Sequence, residues 1–237
     1  MGIPCYLAMT AAEFSACAQL PPHIGWLSCH FSPSGPGLSN LPKALPPGSV
    51  LILDDSTPYH FHQSQWILAQ LQEIVSAFSV NALILDFQRP KDPALGEMAR
   101  LLVAGLPCPV AVPPRYAAQN APVFLPPLPL HIPLGRALAP WHGRELWLDA
   151  PLLPHRVTVT PKGITCQWLP TPPDMIYPHG AEELHCHYTT EVGKNNINFT
   201  FSRNQQDFAP WLEEAQSLGV AGVVSLYQEW KQQKPPC

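Results

Sequence analysis

Carboxylates are scarce in this chain: 17 Asp plus Glu in 237 residues. Several of them stand in corresponding places, just past short apolar runs. Asp54 and Asp55 follow Val50-Leu51-Ile52-Leu53; Asp86 follows Ala82-Leu83-Ile84-Leu85, with Gln88 and Arg89 close behind; Asp149 follows Leu146-Trp147-Leu148. Arg115 and Tyr116 come after Val110-Ala111-Val112, and Gln228 and Glu229 after Val223-Val224-Ser225-Leu226-Tyr227. Carboxylates can move protons, and amides and guanidinium groups can hydrogen-bond a polar ligand. Any one such acid is more simply a helix cap or an arginine partner. A set recurring at equivalent places is harder to explain that way.

Two His-x-His pairs, His60/His62 and His185/His187, would put both imidazoles on one face of an extended chain, as a metal pair requires. The first falls in a loop entering a helix and the second in a β segment, so surface histidine is the simpler reading of both. The seven cysteines are widely spaced and form no C-x-x-C, which suits a reduced protein whose thiols are small buried hydrophobes. No G-x-S-x-G, P-loop or G-x-G-x-x-G is present, so a lipase, a nucleotide phosphatase or a dinucleotide enzyme has no support, and no cofactor is expected.

The elements that must position these groups are marked by proline. There are 31 prolines, more than twice the usual share of about 5%. Disorder does not follow, because the chain is 46% hydrophobic and only 13% charged. The apolar runs lack polar alternation, as strands buried on both faces of a parallel sheet do. Pro58, Pro90, Pro113, Pro126 and Pro151 lie shortly after them, where ladder pairing must end. With runs at 4–9, 23–29 and 220–227 there are about eight such strands.

Helical patterns lie between them. Thr10 and Glu13 form a capping box for a helix over 11–18. Trp66, Leu68, Ala69, Leu71, Ile74, Val75 and Phe78 share one face of a helix over 62–78, and Trp66 and Trp211 are assigned to packing. Asp92 caps a helix over 93–104 with Gly105 after its end, and a further helix ends at Gly219, with Glu213 and Glu214 outward. Alternating βα units predict an α/β fold, a compact and irregular (β/α)8 TIM-type barrel. An open doubly wound sheet is the competing architecture.

Two irregularities are expected. The gap between Val112 and Val123 leaves room for only a turn in place of a helix. The long stretch before the last strand holds a hairpin, 156–160 with 164–168, and a second pair, 185–190 with 196–202. The expected organisation is therefore one barrel domain over 1–237 with an antiparallel β insertion at 152–203. A separate small β domain is the weaker alternative.

On the fourth strand, Asn81-Ala82-Leu83-Ile84-Leu85-Asp86-Phe87-Gln88 resembles the D-x-x-D-x-D-x-E motif of family 18 glycoside hydrolases, the chitinase-like barrels. The resemblance covers the barrel order and about nine residues. In that family the last Glu protonates the glycosidic oxygen, and the Asp two residues earlier orients the substrate's acetamido group. Here Asp86 matches that Asp, and the acid position is Gln88. The last strand, ending Tyr227-Gln228-Glu229-Trp230, looks like the aromatic-ended eighth strand of such barrels, where a Trp forms the floor of the sugar site.

The resemblance implies a carbohydrate ligand at the C-terminal ends of the strands. Asp86 and Glu229, or Asp86 and Asp55, would be the carboxylates flanking a glycosidic bond. Asp55, Gln88, Arg89, Arg115, Tyr116, Asp149, Tyr227, Gln228 and Trp230 would bind substrate, with Tyr59 a further stacking candidate. A non-catalytic carbohydrate binder or scaffold of the same fold is the alternative, and a metal-dependent hydrolase the third. The net charge of −4 without a basic run argues against a nucleic-acid partner. No apolar run is long enough to span a membrane, and no signal-like N-terminus is evident, so a cytoplasmic protein is expected.

Overall fold

The structure is a computed structural model that describes residues 2–59, 63–118, 120–170 and 176–232. In chain order the strands are β1 (Cys5–Met9), β2 (Ile24–Phe31), β3 (Leu38–Ser39), β4 (Val50–Asp54), β5 (Ala82–Asp86), β6 (Val110–Ala111), β7 (Val123–Leu125), β8 (Leu146–Asp149), β9 (His155–Thr160), β10 (Gly163–Trp168), β11 (His179–Ala181), β12 (Cys186–Val192), β13 (Ile197–Ser202) and β14 (Val220–Leu226). The helices are α1 (Ala11–Ala16), α2 (Ser64–Phe78), α3 (Pro93–Gly105), α4 (Leu134–Leu138), α5 (Gln205–Ser217) and α6 (Tyr227–Gln232).

Eight parallel strands run in the order β6-β5-β4-β2-β1-β14-β8-β7. The two ends of this row meet through one parallel bridge, Val112 to Val123, where Phe124 N–H donates to the Val112 carbonyl at 2.8 Å. The sheet is therefore a nearly closed barrel and not an open doubly wound sheet. All eight apolar runs became its staves.

Period-two alternation sorts each stave into an inner and an outer row. Tyr6, Ala8, Val50, Ile52, Ala82, Ile84, Phe124, Trp147 and Val224 fill the interior. Leu51, Leu53, Leu83, Leu85, Leu146, Leu148 and Val223 face the helices. Gly222 is required here: a Cβ on it would stand 2.5 Å from the Trp147 ring, so a side chain there would displace the indole that fills the barrel centre. At the N-terminal end Asn81 Nδ2 donates to the Tyr6 hydroxyl at 2.7 Å, closing the floor.

The connections depart from an ideal barrel in two places. As expected, the described residues of the link from β6 to β7 hold a 3-10 turn, Pro114–Tyr116, in place of a helix. The link from β2 to β4 also lacks a helix; β3 folds back antiparallel on β2 instead. The Thr10–Glu13 capping box is present, and α3 starts on Asp92 with Pro93 in its first turn. Gly105 is the last residue of α3 and not a stop beyond it. Its Cα lies against Leu68, which a Cβ would meet at 2.8 Å, so it permits α3 to approach α2 closely. On α2 the buried residues are Ile67, Leu71, Ile74 and Val75. Trp66 is 58% exposed, which corrects its assignment to packing, whereas Trp211 is buried. The first residues of the expected 62–78 helix lie partly outside the described residues.

Between β8 and α5 a five-stranded antiparallel sheet, β10-β9-β13-β12-β11, stands on the barrel. Both expected hairpins are in it, with Thr160 opposite Gly163 and Val192 opposite Ile197. Its inner side buries Val157, Cys186 and Phe201 against Leu130 of the loop after β7. Glu214 does not point outward as expected: His185 Nε2 meets its Oε2 at 2.9 Å, and His187 Nδ1 meets Asp207 Oδ2 at 3.1 Å, so α5 holds the insertion. No helix among the described residues is long and apolar enough to cross a membrane.

Candidate functional site

The barrel's alternation determines which acids face its mouth. Val50 and Ile52 point inward on β4, so the next inward position is Asp54. Ala82 and Ile84 lead in the same way to Asp86 on β5, and Trp147 leads to Asp149 on β8. Register places Asp54 opposite Asp86, and Val224 opposite Asp149. Each acid is one step past the last apolar layer, at the C-terminal end where barrel sites are built.

Asp55, one residue on, faces the other way and is buried at 4% exposure. Its Oδ1 accepts from the Gln88 backbone N–H at 2.8 Å and its Oδ2 from that of Arg89 at 3.0 Å. It braces the loop after β5. That loop turns the Gln88 side chain back, and its Nε2 donates to Asp86 Oδ1 and Oδ2 at 3.2 and 3.1 Å.

Glu229 comes from α6, which begins as β14 ends. It is 7% exposed, and its Oε2 accepts from the Leu152 N–H at 2.6 Å. Asp86, Gln88, Asp149 and Glu229 line one cleft of about 310 Å³. Leu153 and Trp168, from the insertion, complete its wall. An adjoining cleft of about 580 Å³ shares Asp86, Gln88 and Asp149 and adds Arg115 among Pro113, Pro114 and Pro126.

Three carboxyls in one partly desolvated mouth cannot all ionise freely. Burial first, then the charges of Asp86 and Glu229, push Asp149 up to about 8. Burial also raises Asp86, opposed by the Gln88 amide and reinforced by Asp54 and Asp55. Burial raises Glu229, with the Leu152 N–H acting the other way. Asp149 therefore keeps its proton to higher pH than an ordinary carboxyl, with the Asp86 and Glu229 carboxyls beside it.

Arg115 donates to the Phe87 carbonyl, and its guanidinium lies 5.7 Å from the Tyr116 ring centre. Tyr116 is buried, and its hydroxyl accepts from the Asp92 N–H at 2.9 Å. Arg89 donates to the Ser56 carbonyl at 2.6 Å and, with Asp55 and Tyr59, lines a different cleft beside β5. Tyr227 turns toward α1, its hydroxyl 3.3 Å from Cys17 Sγ. Gln228 is exposed. Trp230 packs edge-on against Phe208, with Nε1 donating to Ser225 Oγ at 2.9 Å. These six, Asp55, Arg89, Tyr116, Tyr227, Gln228 and Trp230, do not line the cleft that holds Asp86 and Glu229.

Trp168 is the wall residue that sequence reasoning missed. Its signal was positional: it ends β10 directly across from His155, where the hairpin returns to the barrel. Of the histidine pairs, His185 and His187 are each engaged by a carboxylate on α5, and His60 and His62 lie outside the described residues.

No family profile and no curated protein matches the chain. Solved structures do match in fold. A chitinase-like agglutinin from Robinia pseudoacacia superposes with a TM-score of 0.61 at 13% identity, over 96% of this chain and 95% of that one. A class V chitinase from Nicotiana tobaccum, in complex with NAG4, gives 0.59 at 11% identity, over 98% and 95%. The spore cortex-lytic enzyme SleL of Bacillus megaterium gives 0.52 at 11% identity, over 97% and 72%. The chain has the fold of chitinase-like glycoside hydrolase barrels.

Proposed function

We propose that the barrel mouth binds a carbohydrate, with a sugar ring on the face of Trp168 and its polar groups held by Asp86, Gln88, Asp149 and Glu229. The observation that carries this reading is their convergence on one cleft at the C-terminal ends of the strands. An indole face with several hydrogen-bonding side chains around it suits a sugar, which is apolar on its ring face and polar at its rim. Position 88 argues against family-type hydrolysis: its amide cannot protonate a leaving oxygen, and it is engaged with Asp86. A binder is therefore the first reading, and the fold's neighbours include an agglutinin as well as chitinases.

Hydrolysis by other acids is the second reading, favoured by the state of Asp149. Two-carboxylate glycosidases divide their roles by holding a proton on one carboxyl more firmly than on the other, and burial with the neighbouring acids pushes Asp149 that way. In that reading Asp149 donates the proton, and Asp86 or Glu229 supplies the second carboxylate.

A panel of N-acetylated glycans, assayed for binding and for release of reducing ends, tests both. The first reading expects binding without turnover, weakened in Asp86→Ala and Glu229→Ala. Turnover lost in Asp149→Asn with binding kept would favour the second. Neither binding nor turnover on any glycan would remove both.

A further inference from the structure

Away from the cleft's polar groups, three potential metal ligands meet where the insertion joins the barrel. His131 lies in the loop after β7, His155 opens β9, and Cys166 lies on β10. His155 stands across from Trp168, so Cys166, two residues earlier on β10, is its diagonal neighbour on the same face of the sheet. One ring nitrogen of each histidine and the Cys166 sulfur all lie within 4.8 Å of one another.

The two rings are otherwise unexplained. They lie 5.2 Å apart, centre to centre, with planes only 2° from parallel. His155 is 2% exposed, and Nδ1 of both rings is buried with no hydrogen-bond partner among the described residues. Leaving a buried nitrogen unsatisfied is costly, and here it happens twice at one point. With metal–nitrogen bonds of about 2.0–2.1 Å, two imidazoles at a tetrahedral angle have ring centres roughly 5 Å apart. The observed separation matches, and turning one ring about its Cβ–Cγ bond, out of the present parallel stack, would aim both lone pairs at one ion.

We propose that His131, His155 and Cys166 form a transition-metal site, with Zn2+ the ion best matched to two imidazoles and a thiolate. Binding replaces the thiol S–H bond with a sulfur–metal bond and releases that proton to solvent. Cys166 is exposed, so the fourth position opens to water. The metal would tie the barrel's β7 loop to the β9–β10 hairpin. Because Trp168 packs on His155 at 4.9 Å, the same bond would fix the indole that walls the cleft. The site stands apart from what the mouth binds: its test reads metal and not sugar.

The full-length protein, stripped with a chelator, is titrated with Zn2+ against a chromophoric competitor, and with Co2+ for the thiolate-to-cobalt charge-transfer band. One equivalent is expected to bind, with that band present and Tm raised by saturating Zn2+. Cys166→Ser, on an exposed strand position that tolerates the change, is expected to lower the affinity at least tenfold and abolish the band. His131→Gln is expected to lower the affinity too. Cys17→Ser, outside the cluster, is expected to change neither. No saturable Zn2+ binding, or binding that Cys166→Ser leaves unchanged, overturns the site.

Discussion

The Gln88 side-chain amide donates to both carboxylate oxygens of Asp86, at 3.2 and 3.1 Å. These two bonds favour the carboxylate form of Asp86 and partly offset the upward push of its burial. In the binding reading proposed above, this arrangement grips a ligand and does not break it.

Gln88→Glu should therefore change chemistry more than shape. The variant replaces two hydrogen bonds with a second carboxyl beside Asp86, and the pair would share a proton at mildly acidic pH. Release of reducing ends from N-acetylated glycans is expected to rise at least tenfold over the unmodified protein. Retained binding with no rise in turnover would show that position 88 does not face the scissile bond.

Asp149 gives a pH signature. Its pKa is about 8 in the folded chain, against an ordinary value of 3.8. Between those values the folded state holds a proton that the unfolded state has lost. Stability must then fall as pH rises through that window and level off above it. Asp149→Asn removes the share of this dependence that Asp149 carries, so it should stabilise the protein at pH 8 by roughly several kcal/mol and little at pH 4. Urea unfolding of both proteins across pH checks the sign; equal gains at both pH values would contradict the assignment.

Asp55 makes the opposite kind of prediction. It is buried and accepts from two loop amides. Asp55→Ala leaves both without partners and should cost about 1–3 kcal/mol. By releasing the Gln88 loop it should weaken glycan binding as well. A stability loss with unchanged binding would separate the brace from the site.

Trp66 on α2 and Trp211 on α5 should differ sharply. Trp211 is buried against Phe208, with Arg203 over its ring at 4.6 Å, so Trp211→Ala should cost about 3–5 kcal/mol. Trp66 is largely exposed, and Trp66→Gln should stay within about 0.5 kcal/mol. Thermal unfolding of both variants measures the difference.

Much of the barrel was legible because proline and alternation act locally. Pro58, Pro90 and Pro113 sit where pairing stops, and the next inward position on β4, β5 and β8 carries an acid. Asp86 and Asp149 follow from that arithmetic alone. Residues past the end of β14 were not legible in the same way. The chain passes directly from strand to helix at Tyr227, and a helix turns successive side chains by about 100°. Tyr227, Gln228, Glu229 and Trp230 therefore point in four directions, and only Glu229 returns to the mouth. Trp168 was hidden for a different reason: its place depends on how a hairpin docks on the barrel, and no local pattern encodes docking. Trp66 and Ile67 are neighbours at the edge of one helical face, and tertiary packing chose Ile67 for burial.

Calorimetric titration of the intact protein and of Trp168→Ala with N-acetylglucosamine oligomers tests the central claim most directly. A carbohydrate site walled by this indole predicts saturable binding that the substitution weakens at least tenfold, since stacking on an aromatic face supplies much of a sugar's affinity. Absence of binding, or an affinity that Trp168→Ala leaves unchanged, would contradict it.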